Sequence, residues 1–302
     1  METLFSIYLK LKRLLLHGIC LFISDKVTKR SFVSWATFPK FNLTQNKTKY
    51  NKIINVAFCF NEGFIPFAVT TISSLLENSP GCKYDIYCVT DIDKDSQTKI
   101  QKYISKCYSN GNIIFLKPNK DYDKAHCGRW SPTIWWRCML PKLLPDTVER
   151  IIYADVDTIF VRDLREANEF EMGTDLLAGC FDSPTYINSG FIIMNIKQFR
   201  LENTYSQMVN WAENNQTGCP DQDMLNTVCR GRIRPISRKF NVIVVAGYSF
   251  LKTMTISQYR DLRTPVMLHY AELKPWDKNI KRFFTVDIYR KYYNTVINNF
   301  VQ

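Results

Sequence analysis

The sequence predicts an α/β protein: a single domain whose mostly parallel central sheet is flanked by helices. Three observations carry that expectation. From Lys52 onward, short apolar runs alternate with stretches of helical periodicity. The stretches between successive runs are long enough to hold a crossover helix, which pairs the strands in parallel. The runs at 53–60 and 151–154 end on polar side chains, Asn61 with Glu62 and Asp155 with Asp157, where a doubly wound sheet places its ligand-binding crevice.

The elements follow in order. "IINVAFCF" (53–60) reads as a strand, and 67–77 as a helix with apolar positions Phe67, Val69, Ile72 and Leu75 or Leu76. "YDIYCVT" is a strand, 94–107 a helix, "NIIFL" a strand, 134–144 a helix and "RIIYA" a strand. Beyond Asp163, "LLAGCFDSPTYINSGFIIMNIKQF" reads as strand, polar turn, strand and helix start. Within it Asn188, Ser189 and Gly190 have the residue types of a turn entering a strand. Asp221, Gln222 and Asp223 open a helix just after Pro220, and "PVMLHYAELKPW" ends a strand at His269 before reaching Lys274. There is no internal repeat, and neither a GxGxxG nor a GxxxxGK[ST] pattern, so no dinucleotide site or P-loop is indicated. The organisation is a domain over 53–276, preceded by a basic segment and linker (1–52) and followed by a basic, aromatic helix or tail (277–302) that docks on the body or on a membrane.

The 302 residues are 46% hydrophobic, enough for a sizeable core. The net charge of +12 is concentrated at one end: residues 1–52 hold ten Lys or Arg against Glu2 and Asp25. Such a distribution argues against a nucleic-acid-binding domain, which carries its charge on a face of the fold. The same segment has one apolar run, Leu14 to Ile23, too short to span a bilayer and without a small-residue cleavage site. It reads as a basic amphipathic stretch lying on an anionic membrane face, or as a surface helix packed on its own domain. Ten cysteines without a CxxC pair, several inside apolar runs, point to reduced thiols and a cytoplasmic protein.

Two carboxylates one residue apart at the end of an apolar strand are costly unless a cation lies between them or water solvates them. Oxygen ligands at that spacing suit a hard divalent cation that keeps positions open for phosphate. A solvated turn is the bland alternative, but the flanking strand is wholly apolar. Capping accounts for one of Asp221 and Asp223, not for three polar residues in a row. A histidine at a strand end is more often a hydrogen-bonded structural residue than a ligand.

Together, "PTIWWRCMLPKLLPDTVERIIYADVDTIFVRDL", "INSGFIIMN", "DQDMLN" and "HYAELKPW" resemble, in order and spacing, the retaining glycosyltransferases of family 8, related to glycogenin and to bacterial lipopolysaccharide galactosyl- and glucosyltransferases. The resemblance covers about residues 53–276 and implies a GT-A type, Rossmann-like fold. It implies a hexosyltransferase that takes galactose or glucose from a UDP-sugar to a glycan acceptor such as lipopolysaccharide core or a lipid-linked oligosaccharide. By that similarity Asp155, Asp157 and His269 hold Mn2+, with Mg2+ as the alternative, against the donor diphosphate. Asn61, Arg137, Asp155 and Lys274 bind the donor, and Asn188, Asp221 and Gln222 flank the anomeric carbon. Gln222 is a poor nucleophile, which favours attack from the leaving-group side, with Asp221 as nucleophile left open. The sequence departs from the family in three places. Asn61 replaces an acid, the closing motif is one residue short and lacks a glycine, and Trp135 and Trp136 stand where tyrosines are common. The altered closing motif admits a second reading, a catalytically silent nucleotide or glycan binder on the same fold.

Overall fold

The computed structural model describes residues 45–244, 263–271, 274–277, 280 and 284–301. The basic amphipathic stretch up to residue 44, with its expected membrane contact, lies outside the described residues.

Strand β1 (Ile53–Cys59), helix α1 (Ile65–Glu77), β2 (Lys83–Val89), α2 (Lys94–Cys107) and β3 (Gly111–Leu116) follow the predicted order. Helix α2 is amphipathic: Ile100, Tyr103 and Ile104 form its buried stripe, and the Asp93 side chain caps it by accepting from Ser96 N. Helix α1 is buried on most of its surface, including Thr71 and Ser74. After them come β4 (Ile151–Ala154), β5 (Thr158–Phe160), β6 (Leu177–Ser183), β7 (Tyr186–Met194), α3 (Thr204–Asn214) and α4 (Pro220–Val228). Short strands β8 (Ile233–Pro235), β9 (Val242–Ile243) and β10 (Met267–His269) precede helix α5 (Phe284–Val296), which continues into a π-helical turn, Ile297–Val301.

Among the described residues, seven strands form one sheet in the order β3-β2-β1-β4-β7-β6-β8. The four from β3 to β4 are parallel. β7 then runs antiparallel to both β4 and β6, and β8 is parallel to β6. The chain order reverses between β1 and β4, so the crevice beyond their carboxyl ends is the switch point where ligands bind in such sheets. A second sheet, β5-β10-β9, stands at that end.

Two local expectations are corrected. Residues 132–139 form a 3-10 helix (Pro132–Met139), followed by a single α-turn, Leu140–Leu143. Leu144 is extended because the ring of Pro145 disfavours the helical region for the residue before it. Asn188, Ser189 and Gly190 lie inside β7 rather than in a turn. The chain reverses earlier, between the end of β6 at Ser183 and the start of β7 at Tyr186, so the three residues alternate across a pleated strand.

Helix α5 buries the apolar face of the basic, aromatic tail against α1. Val286, Tyr289 and Val296 are fully buried, Phe67 of α1 stacks on Trp276 with centroids 4.0 Å apart, and Asn78 Nδ2 donates to Tyr292 Oη at 2.7 Å. No described helix is long and apolar enough to cross a membrane. The nine described cysteines are free thiols, six of them buried.

Candidate active site

Asp155 is the first residue past β4, beside the end of β1. Its turn is fixed on three sides. Thr158 Oγ1 donates to Asp155 O at 2.7 Å, Asp155 N donates to Gly190 O of β7 at 3.0 Å, and Thr71 of α1 donates to Val156 O and Thr158 O at 2.9 and 2.7 Å. The buried Thr71 hydroxyl therefore sets the angle of the acidic turn. β10 enters antiparallel to β5 with His269 opposite Thr158, and Tyr270 N donates to Asp157 O at 2.9 Å. Strand register thus brings the imidazole to the acids: His269 Nε2 lies 3.3 Å from Asp157 Oδ1 and 3.7 Å from Asp155 Oδ2.

These three residues fit a divalent cation. Asp157 Oδ1 is buried and faces His269 Nε2 at 3.3 Å without an aligned hydrogen bond, an expensive state for a carboxylate oxygen that a bound cation or a protonated imidazole relieves. Asp155 turns its other oxygen, Oδ1, away to Tyr153 Oη (2.7 Å) and to Arg137 Nη2 (2.9 Å), which leaves Oδ2 toward His269. His269 Nδ1 pairs with Asn241 Oδ1 at 2.9 Å, while Asn241 Nδ2 donates to Asn188 Oδ1 at 2.8 Å. With the amide so oriented, Nδ1 carries the proton and Nε2 presents its lone pair to the acids, the usual support of a metal-bound histidine. Adjacent ligands of an octahedral ion with bonds of about 2.1 Å are about 3 Å apart, close to the separations here.

Gly190 makes that arrangement possible. A Cβ on it would lie 2.2 Å from His269 Cε1 and 2.7 Å from Nδ1, so no side chain can share the strand face with the imidazole. Gly190→Ala is expected to push the ring off Asn241 and raise the Kd for Mn2+ by roughly 10- to 100-fold, the range for disturbed outer-shell support. A manganese titration giving a wild-type Kd would show that the ring can be relocated without cost.

On the other pleat of β7, Ser189 belongs to a second, buried cluster. Arg137 is 8% exposed and spans two carboxylates, with Nη2 2.9 Å from Asp155 Oδ1 and Nε 3.2 Å from Asp221 Oδ2. Its Nη1 donates to Ser189 O and Oγ at 3.0 and 3.1 Å, and its guanidinium lies 4.5 Å from the Tyr153 ring. Gln222 Oε1 accepts from Ser189 N at 2.9 Å, so the amide is held at the start of α4 beside Asp221. Asp223, read as part of the same acidic start, instead closes the helix end by accepting from Cys219 N at 3.2 Å.

Electrostatics follow from burial and pairing. Burial opposes ionisation of Asp157, but His269 and Lys274 outweigh it and hold the carboxyl below its usual range. Burial alone would lower the His269 pKa; Asp157 and then Asp155 outweigh it and raise the pKa above the ordinary 6.5. Asp221 is pushed up by burial, with Arg137 opposing. Lys274 reaches the site despite the shortened closing motif, its Nζ lying 2.5 Å from Asp157 Oδ2.

The structure therefore gathers Asp155, Asp157, His269 and Lys274 in one group, and Arg137, Asp221 and Gln222 in a second that shares Asp155. Asn188 supports His269 through Asn241 rather than touching Asp221 or Gln222. Asn61 stands at the end of β1 with its Oδ1 buried and unpartnered. Sequence reasoning read Ser189 only as a turn residue and missed Asn241 and Tyr153. Tyr153 has a legible signal, a polar ring inside a buried strand two residues before an acid; Asn241 has none, because only packing brings it to His269.

A sheet reversing at this switch point, with a paired-acid and imidazole cluster beyond it, is a fold of the GT-A glycosyltransferase type. The chain belongs to glycosyl transferase family 8, whose profile matches residues 55–280. It is 25% identical over 215 residues to a Haemophilus influenzae (strain Rd) protein provisionally named a glycosyltransferase, covering 63% of this chain and 64% of that one, so it spans under two thirds of that relative's length. It is 23% identical over 256 residues to the lipopolysaccharide 1,2-glucosyltransferase of Escherichia coli K12, covering 76% and 74% of the two chains. Among solved structures it resembles the galactosyltransferase LgtC, crystallised with donor and acceptor sugar analogues, with a TM-score of 0.67 at 19% identity over 80% of this chain and 96% of that one. At that identity the likeness is one of fold.

Proposed function

We propose that this protein transfers a hexose, galactose or glucose, from a UDP-sugar to a glycan acceptor with retention of configuration. The convergence of Asp155, Asp157 and His269 beside the buried Arg137–Asp221 pair supports this reading most directly. Asp155, Asp157 and His269 would hold a divalent ion there, Mn2+ by the mixed oxygen and imidazole donor set, and it would supply Lewis-acid stabilisation of the charge on a departing diphosphate.

The chain's own residues do the rest. Asn61 Oδ1, an unpartnered acceptor at the mouth of β1, suits the imide N–H of a uracil ring, and the exposed ring of Phe64, three residues on, offers a stacking face. Arg137 orients Asp155 and Asp221 together, so the carboxylate that would hold the metal and the one beside the sugar are fixed relative to each other. Gln222, its oxygen held by Ser189, is a positioned amide rather than a nucleophile. Attack by the acceptor hydroxyl from the leaving-group face fits this arrangement: the anomeric bond to the diphosphate breaks as the new C–O bond forms, the departing diphosphate oxygen takes the hydroxyl proton, and Gln222 or Asp221 stabilises positive charge at the anomeric carbon. Lipopolysaccharide core or a lipid-linked oligosaccharide is the proposed acceptor, in line with the lipopolysaccharide glucosyltransferase relative.

The test is Mn2+-dependent release of UDP from UDP-galactose or UDP-glucose by the full chain, with the product anomer assigned by NMR. Binding of UDP with no turnover of any sugar donor would overturn the transferase reading in favour of a silent binder.

The raised His269 pKa sets a pH dependence. The imidazole must be neutral to bind a metal, so protons compete increasingly as pH falls through a value above 6.5. Mn2+ affinity is expected to be greatest in alkaline solution and to fall as pH drops through the raised His269 pKa. A titration flat from pH 8.5 to 5.5 would remove His269 from the ligand set.

A further inference from the structure

We infer that Lys274 is the resident cation of the acidic site, held against Asp157 in place of a metal and released onto the donor diphosphate when metal and donor enter together. This rests on the reading proposed above and adds a second task for one residue: coupling the two binding events.

The geometry is that of a saturated ammonium. Nζ donates to Asp157 Oδ2 at 2.5 Å, to Tyr270 O at 3.1 Å and to Ala271 O at 3.1 Å. Those three bonds use all three N–H donors of a lysine, so Lys274 cannot bind a phosphate oxygen without giving up a partner. The partner open to exchange is Asp157, because the two carbonyls are local, four and three residues before Lys274, whereas Asp157 lies 117 residues away on another element. Asp157 presents its two oxygens to different cations: Oδ2 meets Lys274, whereas Oδ1 is buried, unpartnered and 3.3 Å from His269 Nε2.

A metal at Oδ1 and the ammonium at Oδ2 would therefore compete for the charge of one carboxylate, well inside the screening length of about 8 Å. The conflict resolves if the ammonium moves. The Lys274 side chain is 41% exposed, so it can leave Asp157 without crossing the core. A diphosphate arriving at the metal supplies the replacement acceptor. Metal alone must displace the ammonium into water, whereas metal with diphosphate transfers it to a new partner. The two ligands then bind with positive coupling, which is reciprocal by linkage.

The decisive measurement is Mn2+ binding by the full chain, followed by loss of the free-ion EPR signal, with and without UDP. Without UDP, Lys274→Met is expected to bind Mn2+ about tenfold more tightly than wild type, because the competing charge is gone. Lys274→Arg, which keeps the charge, should bind it as weakly as wild type. UDP should tighten Mn2+ binding by about tenfold or more in the wild type and by under about threefold in Lys274→Met. Circular dichroism of each variant establishes that the fold is retained. Mn2+ affinity that is unchanged or weaker in a folded Lys274→Met overturns the exchange while leaving the metal site intact. Failure of every variant and of the wild type to bind Mn2+, even with UDP, overturns both the exchange and the metal reading beneath it.

Discussion

Asp157→Asn is expected to abolish metal-dependent release of UDP while the protein stays folded. The amide keeps the size of the carboxylate but removes the charge that Oδ1 offers beside His269 and that Oδ2 offers to Lys274. A bound ion contributes several kcal/mol of stabilisation to developing phosphate charge. Losing roughly 4–5 kcal/mol corresponds to a fall in rate of about a thousandfold or more. The ammonium is also left with a neutral partner, so the variant should bind Mn2+ poorly with or without UDP. UDP release within tenfold of wild type, measured at saturating Mn2+ and donor, would place the metal elsewhere.

Arg137→Met should produce the largest loss of stability. The methionine fills the volume of the stem, but Asp155 and Asp221 then face each other across a buried space with no counter-ion. Asp221 is only 7% exposed and Arg137 8%. Breaking a buried pair by removing one partner costs about 3–5 kcal/mol because the other charge stays uncompensated. In urea denaturation the midpoint should fall by the corresponding amount, and Arg137→Met/Asp221→Asn should recover part of it, since one of the stranded charges is gone. A single variant within 1 kcal/mol of wild type, or a double variant no better than the single, would mean that water already reaches these carboxylates. Activity should be lost as well, because Tyr153 alone then holds Asp155 Oδ1.

The two largest expected effects arise from groups with different legibility in the sequence. Asp155 and Asp157 stand out because a wholly apolar strand ends in like charges, and like charges there require a cation or water. Arg137, between Trp136 and Cys138 on a 3-10 turn, has no such local signal and is picked out by the family resemblance alone; its burial between two carboxylates comes from β7 and α4 closing over it. Asn188 and Gly190 were visible as residue types but misplaced in conformation. Asn and Gly are favoured in turns for backbone reasons, whereas Gly190 is needed in mid-strand because an imidazole occupies the place of its side chain.

The parallel half of the sheet, the switch point and the acidic pair were determined by the sequence on its own, because hydrophobic period and the end of an apolar run are local properties carried by neighbouring residues. Tertiary structure alone decided that His269 meets those acids, that Asn241 sets its tautomer and that Lys274 reaches Asp157. The first and last depend on the register of β10 against β5, which pairs residues more than a hundred positions apart, and the second on the pairing of β10 with β9. A shift of one residue there would turn the imidazole to the opposite face of the strand, and nothing within either segment read separately specifies which register the folded chain adopts.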